Sequence, residues 1–142
     1  MTGFDDSWHD LPVRVYYEDT DAQGVVYFAN YLRFMERGRT EWLRARGLEQ
    51  DRLMQEDNLC FSLVNTDIKF KRPARFNDQL VVRTRVLSTG GARVAFEQVI
   101  FRDSADGELL CTARCDAASL AADSFKPRRL PRSLLAMLAG QD

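Results

Sequence analysis

Between Leu11 and Glu18 apolar and polar positions alternate. Leu11, Val13, Val15 and Tyr17 fall on one side and Arg14, Tyr16 and Glu18 on the other, which predicts a strand with one buried face. The segment TDAQG, from Thr20 to Gly24, breaks it with turn residues. From Tyr27 to Arg46 the period changes. Tyr31, Phe34, Met35, Gly38 and Trp42 recur at helical spacing, with Arg33, Arg37 and Arg44 mostly away from them. This predicts an amphipathic helix of about five turns. Gly47 stands where a left-handed C-cap residue belongs. Gly38 lies inside the apolar stripe, where glycine costs about 1 kcal/mol against alanine. A close approach of the helix to a sheet accounts for it.

The sheet follows. CFSLVNTDIKFKRP reads as a long strand ending at Pro73, QLVVRTRVLST as a second closed by Gly90 and Gly91, and ARVAFEQVIFRD as a third. ADG is a hairpin signal, and ELLCTARCDAASLA is the next strand. The tail SFKPRRLPRSLLAML is basic and then runs into a short, apolar, helix-like end. The order is strand, long helix, then about four consecutive antiparallel strands. This predicts an α+β fold, one helix lying on the face of one curved antiparallel sheet of about five strands. Val81 and Leu87 fall on the outer face, so part of that face is expected to be covered, and a subunit interface would cover it. A homo-oligomer is therefore expected.

The chain has 142 residues, 45% hydrophobic and 29% charged, which suits a single domain with a core of its own. The core is expected over about 11–120, with 121–142 as a basic tail. The formal net charge of -1 gives no global attraction to nucleic acid or membrane. The opening MTGFDDSWHDLP is acidic and lacks the apolar run of a signal peptide, and no stretch approaches the ~20 apolar residues of a membrane span. A cytoplasmic protein is expected. Cys60, Cys111 and Cys115 form no disulfide framework and read as small hydrophobes in a reducing compartment. The only histidine, His9, leaves no Cys-His or Ser-His pair and no zinc set, so no metal is expected.

The chemistry concentrates in YYEDTDAQGVVYFANY, Tyr16 to Tyr31, where Glu18, Asp19 and Asp21 fall within four positions. Acids in a turn ordinarily cap a helix or close an Asx-turn. Asp21, however, ends a strand just before a helix start, and a helix N-terminus carries unpaired N–H groups and roughly +0.5 of a charge. Such amides polarise a carbonyl oxygen, while a carboxylate facing the same point attacks the carbon or activates a water. Glu18 is expected to face outward. Asp19 is well placed to accept backbone hydrogen bonds in the turn.

The run RVYYEDTDAQGVVYFANYLRFMERGRTEWLR closely resembles the signature of the 4-hydroxybenzoyl-CoA thioesterase-like branch of the hotdog superfamily, and within it the acyl-CoA thioesterases associated with the bacterial Tol-Pal system. The resemblance continues through IKFKRPARFNDQLVVRTRV to FKPRRLP, about Leu11 to Leu130. It implies a hotdog fold, a long helix wrapped by a curved antiparallel sheet. It also implies hydrolysis of acyl-CoA or acyl-carrier-protein thioesters without a cofactor, CoA being part of the substrate.

By the resemblance, Asp21 is the catalytic acid, as nucleophile or general base. Gly24 lets the loop turn into the helix, and the Phe28 backbone N–H binds the thioester oxygen. Tyr27 and Tyr31 flank it and line the acyl or pantetheine channel. Relatives of this type often carry histidine at the position of Phe28, so a side-chain role there is absent and the pocket mouth is more apolar. In a CoA-ester enzyme the phosphates need surface cations, for which Arg128 and Arg129, then Lys126, are the candidates. Lys69, Lys71, Arg72 and Arg75 form a second basic group with no assigned role. The family expectation is a homodimer at least, often a dimer of dimers. Two alternatives stand beside hydrolysis. Dehydration of a hydroxyacyl thioester would need a histidine inside the motif. A non-catalytic acyl-CoA or acyl-carrier-protein binding or scaffold protein of the cell-envelope machinery would have no use for Asp21.

Overall fold

In the computed structural model, which describes residues 8–139, five antiparallel strands curl around one long helix. The elements are β1 (His9–Arg14), α1 (Phe28–Ala45), α2 (Gln50–Glu56), β2 (Leu59–Phe70), β3 (Gln79–Gly90), β4 (Arg93–Arg102), β5 (Leu109–Ala121) and α3 (Arg132–Leu138), with a 3-10 turn at Tyr17–Asp19. This is the hotdog arrangement. No helix among the described residues is long and apolar enough to cross a membrane.

The strands form because they alternate. In β3, Leu80, Val82, Thr84 and Val86 are all 2% exposed or less and face α1, while Val81 and Leu87 are only half-buried on the outer face. Register shifts between Val86 and Ser88, and between Leu63 and Asn65, mark irregularities of the bulge kind, which bend a sheet and raise its twist. Cys111 and Cys115 are buried in β5 beneath the helix, and burial pushes the Cys111 thiol up to about 12. Cys60 is half-buried.

The strand order is β1-β3-β4-β5-β2, which differs from four strands in simple succession. β2 pairs with β5, not with β3. The segment 71–78 must therefore cross the end of the sheet to reach β3, and it crosses where the acidic turn lies. The first strand is also shorter than the alternation suggested. It stops at Arg14, and the 3-10 turn swings Tyr17 outward, so this expected inward residue is 80% exposed. The strand also begins earlier than the alternation suggested, at His9 rather than Leu11. α2 had no signal in the alternation. Nor does the core stop near 120: Leu130, Leu134 and Leu138 belong to it, each 5% exposed or less.

α1 buries Tyr31, Phe34, Met35, Gly38 and Trp42 along the expected stripe. It ends on Gly47 at φ +82°, with the Leu48 N–H donating to the Leu43 carbonyl (2.9 Å) and the Gly47 N–H to that of Arg44 (2.9 Å). Only glycine adopts that conformation without strain. Gly38 sets the depth of the helix. A Cβ there would lie 2.8 Å from Thr84 Oγ1 and 2.9 Å from both Gln98 Nε2 and Val82 Cγ1. Gln98 is fully buried and holds the helix from the sheet side. Its Nε2 donates to the Met35 carbonyl and to Thr84 Oγ1 (2.8 Å each), and its Oε1 accepts from Arg39 Nη1 (3.0 Å).

Gly38→Ala tests this contact. Alanine favours the helix by about 1 kcal/mol, but overpacking against two β-branched side chains and a bonded amide costs about 1–3 kcal/mol. We expect a net loss of stability, read as a lower urea midpoint. A raised midpoint would show that the helix rides higher than described.

Candidate active site

The acidic turn is assembled from three pieces of chain. Beyond β1, the Val15 N–H donates to the Asp78 carbonyl and the Asn77 N–H to that of Val15 (2.9 Å each). The 3-10 turn follows, closed by Asp19 and Thr20 amides on the Tyr16 and Tyr17 carbonyls. Then Thr20 pairs with Val26 and Val25 with Arg75 in short antiparallel bridges. The loop between them is held by the Asp21 N–H on the Val25 carbonyl (2.9 Å) and the Gly24 N–H on that of Asp21 (3.0 Å). Gly24 sits at φ +77°, the left-handed conformation the loop needs to turn back. The crossing segment clamps the returning chain, with the Val26 N–H on the Ala74 carbonyl (2.8 Å) and the Phe76 N–H on that of Gly24 (3.2 Å).

The two aspartates of this turn meet different environments. Asp19 is 8% exposed, and each of its oxygens is used. Oδ2 accepts the Tyr16 N–H (2.8 Å) and Oδ1 accepts Asn30 Nδ2 (2.7 Å), so it ties the turn to the first turn of α1. Asp21 is exposed. Its Oδ1 accepts the Gln23 N–H (2.8 Å), an Asx-turn that orients the carboxylate, and it forms no ion pair with a described residue. Glu18 is exposed.

α1 then starts without a cap. Tyr27 is the N-cap residue and its side chain makes no capping bond, and no acid lies in the first turn. The Asn30 N–H donates to the Tyr27 carbonyl (3.0 Å), and among the described residues none accepts from the Phe28 or Ala29 N–H. Serine, threonine, asparagine or aspartate at this position ordinarily satisfies such donors. Leaving them open preserves a site for an oxyanion. Around them lies an aromatic wall. Phe28, 71% exposed, packs on Phe70 at 4.7 Å between centroids, and Phe70 meets Tyr31 edge-on at 5.3 Å. Tyr27 is 38% exposed beside it. A strand-end carboxylate with unpaired amides at a helix start is a workable arrangement for acyl transfer.

This architecture has known counterparts. A family model described as the thioesterase-like superfamily matches residues 15–138. The chain belongs to the thioesterase-like superfamily. It is 40% identical over 131 residues to the acyl-CoA thioesterase YbgC of Haemophilus influenzae, covering 92% of this chain and 94% of that one. It is 42% identical over 125 residues to the acyl-CoA thioester hydrolase YbgC of Escherichia coli O6:H1, covering 88% and 91%. The crystal structure of a probable thioesterase from Bartonella henselae superposes with a TM-score of 0.81 at 40% identity, covering 88% of this chain and all (100%) of that one.

In this superfamily member, Asp21, Gly24, Tyr27 and Phe28 share one loop and helix start. Tyr31 is placed otherwise than as an open channel wall. It is 2% exposed, and its hydroxyl accepts the Ala74 N–H (2.9 Å), so it anchors the crossing segment; burial raises its pKa. The tail cations lie apart. The acidic turn sits at the Leu109 end of β5 and the tail at the Ala121 end, bridged there by Leu120 with Pro127. Thirteen residues of strand span roughly 40 Å. Arg128 is also occupied, its Nη1 donating to the Asp57 carbonyl and to that of Asn58 (3.0 Å) at the end of α2. Lys126 and Arg129 are exposed. The second basic group, unassigned from sequence, is the one brought to the site end, with Arg75 bridged to Val25. Among the described residues no three His, Cys, Asp or Glu side chains are grouped to hold a metal.

Sequence reasoning passed over Asn30 and Phe70. Asn30 had a signal, a poor helix former inside an aromatic helix start. Replacing Asn30 by alanine leaves a buried carboxylate with one donor fewer, at a cost of about 1–3 kcal/mol. We expect the urea midpoint to fall accordingly. An unchanged midpoint would mean that the Tyr16 amide alone holds Asp19.

Proposed function

We propose that the protein hydrolyses acyl-CoA thioesters to a free carboxylic acid and CoA. The observation that carries the reading is the uncapped start of α1, with its open Phe28 N–H, beside an exposed carboxylate that a turn is built to present. The 40–42% identity to relatives named acyl-CoA thioesterase or thioester hydrolase supports the choice of substrate class.

In this reading the thioester carbonyl oxygen accepts the Phe28 N–H, strengthened by the helix dipole. Asp21 acts on the carbon in one of two ways. As general base it takes a proton from a water, whose oxygen attacks the carbonyl carbon. The tetrahedral intermediate then collapses, the C–S bond breaks, and the CoA sulfur takes up a proton. As nucleophile, Asp21 itself displaces the thiolate, forming an anhydride that water opens. The substituent at Phe28 is an apolar ring rather than a proton donor, so the carbonyl is held through the main chain. Acyl-carrier-protein thioesters carry the same reacting group and fit the same chemistry.

The working unit we propose is a homo-oligomer, a dimer at least and a dimer of dimers beyond it. Two features support it. β2 is an edge strand, and Leu63 and Val64 along it are 41% and 47% exposed. An edge of that kind pairs with another chain. The half-buried Val81 and Leu87 on the outer sheet face offer the second contact.

Asp21→Asn keeps the shape of the turn and removes the base. Hydrolysis, followed as free-thiol release from acyl-CoA, should drop by about 10²–10⁴, with acyl-CoA binding retained. Wild-type turnover by the variant would refute the assignment. Val64→Lys places a charge on the β2 edge and should convert the oligomer to monomer in size-exclusion chromatography with light scattering. A variant that stays oligomeric would put the main contact elsewhere.

A further inference from the structure

Two exposed aromatic side chains at the site end have no part in the core. Tyr17 is 80% and Phe76 51% exposed, and their rings meet edge to face at 5.7 Å between centroids. Neither joins the core. Yet both are rigidly held. Tyr17 opens the 3-10 turn, and Phe76 is fixed to the catalytic loop by its N–H on the Gly24 carbonyl (3.2 Å).

Basic residues lie on the same turn and crossing segment as this pair. Arg75 is exposed, and its guanidinium has no partner among the described residues. Arg14, also exposed, lies against the same turn, with Nη1 on the Asn77 carbonyl (2.8 Å). Lys71 is exposed in the same crossing segment. The acid beside Arg75 is engaged elsewhere. Asp78 accepts the Arg75 N–H (2.8 Å) and pairs with Arg102. Glu18 lines a groove of about 400 Å³ with Leu11, Arg14, Arg37 and Glu41, so Arg14 faces acids as well as this turn, and Arg75 is the cation left for a ligand.

An exposed aromatic pair flanked by arginine suits a ligand with a flat base and a phosphate, because rings stack on bases and guanidinium binds phosphate oxygens in pairs. We propose that Tyr17, Phe76 and Arg75 form a ledge that holds the nucleotide end of CoA, the adenine stacked on the face of one ring against the other and a phosphate on Arg75. This rests on the thioesterase reading above. It differs from an assignment to Arg128 and Arg129, which lie at the other end of the sheet from Asp21 in the same chain.

The test compares acyl-CoA with the matching acyl-pantetheine, which has the same thioester and arm but no nucleotide. The quantity read is the ratio of kcat/KM for the two substrates in wild type, Arg75→Gln and Phe76→Leu. Loss of a base stack or of a charge-assisted phosphate contact corresponds to about 5- to 100-fold. We expect the ratio to fall by that factor in each variant, carried by KM for acyl-CoA. Equal losses on both substrates would make the ledge merely structural and overturn the proposal, as would no loss on either. Failure of the wild type to cleave either thioester would instead overturn the thioesterase reading, and the ledge with it.

Discussion

The depth at which α1 lies in the sheet governs the rest of the molecule. Gly38 lets the helix backbone come down onto Val82, Thr84 and Gln98, and Gln98 reaches up to the Met35 carbonyl. With the middle of the helix pinned, the position of its first turn is decided. Tyr31 is then low enough for its hydroxyl to take the Ala74 N–H, which draws the crossing segment in. That segment in turn clamps Val26 and Gly24 through Ala74 and Phe76. One missing methyl group in the helix thus propagates, through four hydrogen-bonded steps, to where the acidic loop sits. A buried polar group such as Gln98 is costly unless its bonds are made, and here both ends of its amide are used.

The periodic parts of this fold were legible from sequence, and the topological parts were not. Helix α1 and all five strands follow from the spacing of apolar residues, because burial on one face leaves a pattern of period 3.6 or 2. Gly38 and Gly47 could be assigned for the same reason, each breaking a local rule that only a tertiary contact or a positive φ explains. Strand order leaves no such mark. An edge strand and an interior strand both alternate, so the pairing of β2 with β5 could not be read, nor the crossing it forces on residues 71–78. The site suffered from the same gap. Asp21 and the Phe28 amide are neighbours along the chain, and sequence brought them together. Phe70 reaches the same place through the pairing of β2 with β5, and Arg75 and Phe76 through the crossing. Arg128 looked free because nothing in KPRR says that the carbonyls just after α2 lie beside it.

The uncapped helix start is a local sacrifice of stability. A serine or aspartate in place of Tyr27 would satisfy one open donor and gain about 1 kcal/mol. It would also fill the place where a carbonyl oxygen could bind. Stability is recovered nearby through Asp19, whose carboxylate is buried against the Tyr16 amide and the Asn30 side chain. The turn is thus rigid at Asp19 and open at Asp21, two positions later. Sites built to bind often break local rules in this way while their surroundings obey them.

Two aspartates of the same type therefore differ in what they can do, and the difference is one of solvation. Asp19 has both oxygens engaged and is fixed as an acceptor. Asp21 uses one oxygen to orient itself and leaves the other without a partner among the described residues. In a single chain Asp21 is exposed to water, which stabilises the carboxylate and blunts it as a base. Covering it would disfavour the charged form and make it a stronger base. On the proposed reading, a bound acyl-CoA would supply part of that cover. A second chain seated along β2 would supply more, since β2 ends at Phe70, against Phe28. On the proposed reading, oligomerisation and catalysis are then one problem: the surface that closes the sheet edge also dries the carboxylate.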